Sequence, residues 1–498
     1  MNPLSDELGR SPRPCTLVIF GATGDLTRRK LVPALAGLAR DGLLPAAFAV
    51  VGFARRDKSD EQFRQEMTAG VDEFGREGVA DSFAAIVDHL YYHQATFEDA
   101  DGYARLGARL RELDAAHGTR GNRIFYLATP PSAYSSILAQ LAAHGLSQEE
   151  GDQFARVVIE KPFGRDRATA AELNSQVAAA FHEGQVFRID HYLGKETVQN
   201  ILALRFANRF FEPWWDERHV DHVQITVAES IGVGGRARYF EEAGILRDMI
   251  QNHLLQVLTL IAMEPPVSLE ADAVRDEKVK VLRAIRSFEP DAVARCTMRG
   301  QYTPGFVGAS EVRGYHEETD VAPGSRTETF AAVRLEVNNW RWGKTPFLLR
   351  AGKRLPRRVT EAAIHFRRPP HRLFEGGAPR QRNVLLLRIQ PDEGISMRFG
   401  SKVPGPELRL RDVLMDFRYG VAFGGRSPDA YERLLSDAML GDATLFARRD
   451  EVDEAWRIVD SIASGWREGA APLPYAAGTW GPDAANELLA GNREWRRP

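Results

Sequence analysis

A short apolar run, Thr16-Leu-Val-Ile-Phe20, ends directly in Gly21-Ala-Thr-Gly24, and helical spacing begins at Asp25, with Leu26, Leu31, Leu35 and Leu38 recurring on one face. A strand that passes through a glycine turn into a helix is the opening of a βαβ unit, and such a unit commits the chain to a parallel sheet. Further strand-like runs follow at Phe48-Ala-Val-Val-Gly-Phe53, Arg123-Ile-Phe-Tyr-Leu127 and Ala155-Arg-Val-Val-Ile159, with amphipathic stretches between them. Residues 1–190 therefore read as an α/β Rossmann-type domain, preceded by a polar, proline-containing arm over 1–14 that is expected to be flexible. Beyond it the pattern changes. Val223, Ile225 and Val227 alternate with Gln224, Thr226 and Ala228, and Ala331, Val333, Leu335 and Val337 alternate with Ala332, Arg334 and Glu336. Period-two patterning with one polar face marks an antiparallel sheet. Residues 191–498 read as a larger α+β domain built on a mostly antiparallel sheet.

Composition narrows the classes of partner. A chain of 498 residues that is 44% hydrophobic and 27% charged can bury more than one core, and a net charge of -3 lacks the basic excess of a nucleic-acid binder. No stretch of about 18 apolar residues occurs, so no membrane span is expected. The two cysteines, Cys15 and Cys296, form neither a disulfide framework nor a zinc spacing, and no signal-peptide pattern opens the chain. The expected compartment is the cytoplasm.

The glycine turn Gly21-Ala-Thr-Gly24-Asp-Leu26 is a coenzyme-site candidate, because bare backbone at a helix start lets a pyrophosphate approach. Taken alone, the pattern also fits an ordinary tight turn. Where an NAD site carries a carboxylate after its second strand, this chain carries Arg55 and Arg56, which would attract a 2′-phosphate and favour NADP. Lys161, in Glu160-Lys-Pro-Phe-Gly164, follows another strand end and faces the crevice where ligands bind, with Pro162 holding it extended or cis. The segment Arg188-Ile-Asp-His-Tyr-Leu-Gly-Lys-Glu196 packs Asp190, His191, Tyr192 and Lys195 into six residues at the expected domain junction, and compact cations near a helix start suit a phosphate. In Gly244 to Met263, an apolar and hence buried helix, Asp248, Gln251, Asn252 and Gln256 form a polar stripe with His253 at its edge. Histidine is a natural general base for a sugar hydroxyl, and either Asp248 or Asp190 is a candidate for the carboxylate that orients it. Lys353 and Arg358 form a third cationic group. No metal-ligand spacing accompanies these residues.

The motifs GATGDLTRRK, EKPFG and RIDHYLGKE, in that order and followed by the Asp248 to His253 helix, resemble the glucose-6-phosphate dehydrogenase family in its bacterial form. The similarity runs from about Thr16 to Trp456. It implies NADP as coenzyme and oxidation of glucose 6-phosphate to the lactone. By motif position, His253 resembles the family's base and Asp190 its orienting carboxylate. His191, Tyr192 and Lys195, helped by Lys353 and Arg358, resemble the phosphate grip; Lys161, Glu229 and Asp248 resemble the groups that hold sugar hydroxyls. Gly21, Ala22, Thr23, Gly24, Asp25, Leu26, Arg55 and Lys161 resemble the coenzyme contacts. The resemblance also implies a homodimer or homotetramer, with a dimer face on the antiparallel sheet. Two alternatives stand beside it: a glucose–fructose-oxidoreductase-type enzyme acting on unphosphorylated sugar, and a non-catalytic NADP-sensing protein. The first does not require the cations at 191, 195, 353 and 358, and the second leaves Asp190 and His253 without a role.

Overall fold

The computed structural model describes residues 11–371, 382–424, 428–491 and 493–498; most of the expected arm over 1–14 lies outside them. The chain forms two compact units. The first takes the described residues up to Gly194 together with Ser268–Arg275 and Pro428–Asp453, and the second takes the remainder. A single cut after residue 190 misses this, because the chain leaves the first unit and returns to it.

In the first unit, β1 (Cys15–Phe20), β2 (Phe48–Ala54), β3 (Leu90–Gln94), β4 (Arg123–Leu127), β5 (Ala155–Ile159) and β6 (Val186–Ile189) form a parallel sheet in the order 3-2-1-4-5-6. β1 and β2 are buried on both faces, as expected of strands written as continuous apolar runs. In the second unit, β7 (Val220–Ala228) and β8 (Thr297–Thr303) precede a small hairpin of β9 (Gly305–Val307) and β10 (Ser310–Val312). There follow β11 (Phe330–Glu336), β12 (Pro346–Gly352), β13 (Val359–Phe366), β14 (Val384–Gln390), β15 (Gly394–Lys402) and β16 (Leu410–Arg418). The two-residue β17 (Phe446–Ala447) belongs to the first unit, where it pairs antiparallel with β6, and β18 (Leu473–Ala476) closes the second sheet. That sheet has nine strands in the order 16-15-14-13-7-12-11-8-18, antiparallel except where β12 pairs with β7 and β18 with β8.

The alternation in β7 does not mean a solvated face. Every residue of β7 is buried, because the C-terminal residues cover its polar side. Gln224 donates to the Glu494 carbonyl (2.8 Å) and accepts from the Arg496 amide (2.8 Å); Arg350 donates to the Arg496 carbonyl (2.9 Å), and Arg496 pairs with Glu361 (2.7 Å). Polar groups can be buried when each meets a partner of this kind. Nor is Gly244 to Met263 one regular helix. Gly244 has φ +61°, Leu246–Leu254 is a π-helix and Leu255–Ala262 is α-helical.

The returning helix Ala430–Leu440 docks in the first unit beside the helix Val32–Arg40. Its Glu432 is buried against Arg76, close to Asp41, Arg40 and Asp429, and burial pushes its carboxyl up from the ordinary 4.5 to about 7. A carboxyl raised on folding binds more protons in the native than in the unfolded state between pH of about 4.5 and 7. Its contribution is thus fully present at the acid end and is lost as pH rises through that window. Thermal unfolding of the protein and of Glu432→Gln at pH of about 5, 6, 7 and 8 checks this. The variant should lose the part of the downward slope that Glu432 supplies, a relative shift of about 2–4 °C in midpoint for a chain of this size; identical slopes would contradict the assignment.

Candidate functional site

In the first unit the predicted coenzyme residues sit at the carboxyl ends of parallel strands, where α/β sheets bind ligands. Gly21 leaves β1 with φ +82°, and its amide donates to the Phe53 carbonyl at 2.9 Å. A Cβ at Gly21 would lie 2.5 Å from the Ala128 carbonyl oxygen. Only glycine therefore lets the exit of β1 pass the loop after β4, at the point where strand order reverses. The Gly21 carbonyl is turned inward and accepts from the Gly24 amide (2.9 Å) and the Thr27 hydroxyl (3.4 Å). Ala22, Thr23, Gly24, Asp25 and Leu26 carry the chain into the helix, which opens as a π-turn over Thr27–Leu31, with the Val32 amide bonded to the Thr27 carbonyl. Pro33 follows at once; a residue that cannot donate an amide hydrogen bond disfavours a regular α register there. Arg55 and Arg56 are exposed at the end of β2, two and three residues beyond the carbonyl that holds the glycine turn, and the Tyr92 hydroxyl pins the Arg56 carbonyl at 2.6 Å. Bare backbone, a helix start and two exposed guanidinium groups fit the pyrophosphate and 2′-phosphate of NADP.

Lys161 lies half-buried after β5, joined to Pro162 by a cis peptide bond. Asp190, after β6, is buried; its carboxylate accepts from the Tyr192 amide at 2.9 Å and its carbonyl from the Leu193 amide at 3.0 Å. These bonds wrap the turn tightly. The half-buried His191 ring lies 5.1 Å from the ring of the buried Tyr192. Arg188, from the same motif, is committed elsewhere: it forms a forked pair with Glu183 (2.6 and 3.0 Å), donates to Asn174 and lies 4.9 Å over the Phe163 ring. Its contacts tie the motif to the neighbouring helix and turn.

In the second unit, Lys195 stands immediately before the helix Glu196–Phe206, and its ammonium donates to Gln390 Oε1 at 2.9 Å; Gln390 in turn donates to Thr360 at 3.0 Å. Glu229 and Lys353 follow the carboxyl ends of β7 and β12, a parallel pair in register at Ala228 and Gly352, and form an ion pair at 2.6 Å. The exposed Arg358 precedes β13, whose Val359 pairs with Ala228, so Arg358 and Glu229 leave the same end of the ladder. Lys195, Gln390, Glu229, Lys353 and Arg358 thus gather at one end of this sheet. The π-helix packs on β7 and β12 and buries both Asp248 and His253. The i→i+5 hydrogen bonding of a π-helix brings His253 to about one turn above Asp248 and toward the same side, whereas an α-helix would rotate them apart. Tyr239 donates to Asp248 at 3.1 Å.

Reading the sequence missed three groups that hold these residues: Gln390 against Lys195, Tyr239 against Asp248, and the tyrosines around Glu160. Two of these contacts join segments remote in the chain. Tyr239 is nearer, but its contact depends on a kink at Gly244 that helical periodicity does not announce.

Two family models match, described as the NAD binding domain of glucose-6-phosphate dehydrogenase over residues 18–200 and its C-terminal domain over 202–496. Glucose-6-phosphate 1-dehydrogenase 2 of Mycobacterium bovis is 51% identical over 505 residues, covering 100% of this chain and 98% of that protein. Glucose-6-phosphate 1-dehydrogenase of Aggregatibacter actinomycetemcomitans is 49% identical, covering 97% of each. Among solved structures, a glucose-6-phosphate dehydrogenase in complex with its substrate glucose 6-phosphate superposes with a TM-score of 0.88 at 35% identity, over 97% of this chain and 98% of that one. The crystal structure of glucose-6-phosphate 1-dehydrogenase from Mycobacterium avium gives 0.85 at 35% identity, over 98% and 99%.

Proposed function

The chain belongs to the glucose-6-phosphate dehydrogenase family, and from that premise we propose that it oxidises D-glucose 6-phosphate to 6-phospho-D-glucono-1,5-lactone with NADP, the entry step of the pentose phosphate pathway. The observation that carries the phosphorylated substrate is the cationic end of the second sheet. Lys195 is held at a helix start by Gln390, and Arg358 is exposed nearby on the ladder. A neutral sugar has no use for charge placed there. Lys353 shares its charge with Glu229, so the phosphate falls first to Lys195 and Arg358, with His191 and Tyr192 completing the grip. Lys161, Glu229 and Asp248 take the sugar hydroxyls.

When bound, NADP accepts the hydride that leaves the anomeric carbon. His253 takes the proton of the anomeric hydroxyl as the C–H bond breaks, so that the electron pair of the O–H bond closes the lactone carbonyl and no cation accumulates on the sugar. Asp190 fixes the imidazole tautomer, as carboxylates do for histidine bases generally. These roles rest on motif position. The burial of His253 and the turn wrapped around Asp190 support them by restricting both side chains.

The subunit pairs as a homodimer, from which a homotetramer can be built. Edge strand β16 supports this: Leu414 and Met415 are 60% and 64% exposed beside Val413, and an open, apolar strand edge calls for a partner. Among the described residues no helix is long and apolar enough to cross a membrane. Burial pushes the Cys15 thiol up to about 12, out of reach of thiolate chemistry. Cys15 and Cys296 are free thiols, which suits the reducing cytoplasm as the place where this enzyme works.

Initial rates of coenzyme reduction with glucose 6-phosphate and with glucose, each against NADP and NAD, test the reading. The phosphorylated sugar should be preferred by about 10²-fold or more in kcat/KM, whereas equal turnover of the two sugars would overturn it. His253→Asn should lower kcat by about 10²–10⁴-fold with little change in KM; near-normal turnover refutes its assignment as base. Lys195→Ala should raise KM for glucose 6-phosphate about 10- to 100-fold, the loss expected of one charge-assisted hydrogen bond, and an unchanged KM would remove Lys195 from the phosphate grip.

A further inference from the structure

One carboxylate in the first unit is not used by this mechanism. Glu160 follows the last residue of β5, is buried, and immediately precedes Lys161. Its side chain accepts from the Tyr126 hydroxyl at 2.5 Å and from the Tyr431 hydroxyl, and its carbonyl accepts from the Tyr134 hydroxyl at 3.1 Å. Three segments remote in sequence therefore converge on one residue: β4, the helix Tyr134–Ala143 and the returning helix Ala430–Leu440. The last is itself anchored to two functional segments. Its capping residue Asp429 pairs with Lys30 of the helix after the glycine turn at 3.2 Å. The Ala430 carbonyl lies so close under Gly194 that a Cβ there would approach it to 2.6 Å.

A buried carboxylate is a costly way to secure a strand end. Burial raises the Glu160 carboxyl, against the pull of the tyrosine hydroxyls and of Lys161, and an apolar side chain of the same volume would anchor β5 without that penalty. What an apolar residue could not supply is an acceptor for two tyrosine hydroxyls and for the backbone amide of Lys161 itself. Two phenolic donors fix the rotamer of Glu160, and the backbone bond from Tyr134 fixes the peptide that leads into Lys161.

We propose that Glu160, clamped by Tyr126 and Tyr431, is a positioning residue that aims Lys161 into the crevice. The inference rests on the reading that Lys161 touches coenzyme and substrate, and it extends the working site to Tyr431, which the chain delivers more than two hundred residues later. Glu160 acts on the reaction only through Lys161.

A double-mutant cycle on the full-length protein tests this, with kcat/KM measured for glucose 6-phosphate and NADP in the wild type, Glu160→Gln, Lys161→Ala and the double variant. Glu160→Gln should lower kcat/KM about 10-fold in the wild type, and by less than about twofold in the Lys161→Ala background, where nothing is left to position. An equal loss in both backgrounds overturns the proposal, since it would mean that Glu160 only supports the strand. No loss in the wild type overturns it as well. Unchanged kinetics in Lys161→Ala alone would instead sink the reading of Lys161, and so the two failures are distinguishable. If Glu160→Gln fails to fold, the same cycle is run with Tyr431→Phe, which removes a single hydroxyl. The expected loss there is about 3- to 10-fold in the wild type and none without Lys161.

Discussion

The working parts of the first unit lean on a segment that arrives late in the chain. Residues Pro428–Asp453 close the free edge of the parallel sheet through β17, paired with β6 at Phe446–Ile189 and Ala447–Arg188. The helix Ala430–Leu440 also meets the helix after the glycine turn through Asp429 and Lys30, the strand end at Glu160 through Tyr431, and Gly194 through its first carbonyl. Arg156 of β5 reaches the far end of that helix and donates to the carbonyls of Ala438 and Met439 at 2.7 and 2.8 Å, satisfying groups that a helix terminus leaves open. A sheet built only from its first six strands would have neither this edge nor these supports. Contacts of such sequence separation form late, after the entropy of closing a long loop has been met.

The second unit solves a different problem, the burial of polar groups at the centre of a nine-stranded sheet. Arg350 lies wholly inside it, between the rings of Trp480 (5.1 Å) and Trp495 (4.7 Å), and burial lowers its guanidinium to about 10, which leaves it charged at neutral pH. His222 and His365 stack at 4.1 Å; burial and neighbouring cations push His365 down to about 2, so it is neutral throughout the working range. The C-terminal residues make this tolerable, since their backbone and side chains meet Gln224, Glu361 and Asp221. The carboxyl ends of β7 and β12 and the start of β13 then carry Glu229, Lys353 and Arg358 on a scaffold with little freedom to move.

Much of this was legible in advance. Alternation of apolar runs with amphipathic stretches announced the parallel sheet, and the motifs placed Gly21, Lys161, Asp190 and Lys195 at strand and helix ends, where they are found. The polar half of the β7 alternation was misleading, because period-two patterning reports which residues share a face and not whether water or the chain's own terminus covers it. The helix around His253 was misleading in another way. Apolar spacing identifies a buried helix but cannot distinguish a π-turn from an α-turn, and the difference decides whether Asp248 and His253 share a face.

The sequence by itself determined the alternation of strands and helices in the coenzyme domain, the glycine that lets β1 pass Ala128, and the motif residues available for coenzyme, phosphate and proton transfer. These are local matters: each depends on residue type and on spacing within one element or one turn. Tertiary structure alone decided which groups hold those residues in place, among them Gln390 for Lys195, Tyr239 for Asp248, and Tyr126 with Tyr431 for Glu160. A hydroxyl or an amide becomes a partner only when folding brings its segment within about 3 Å, and neither composition nor periodicity records that meeting.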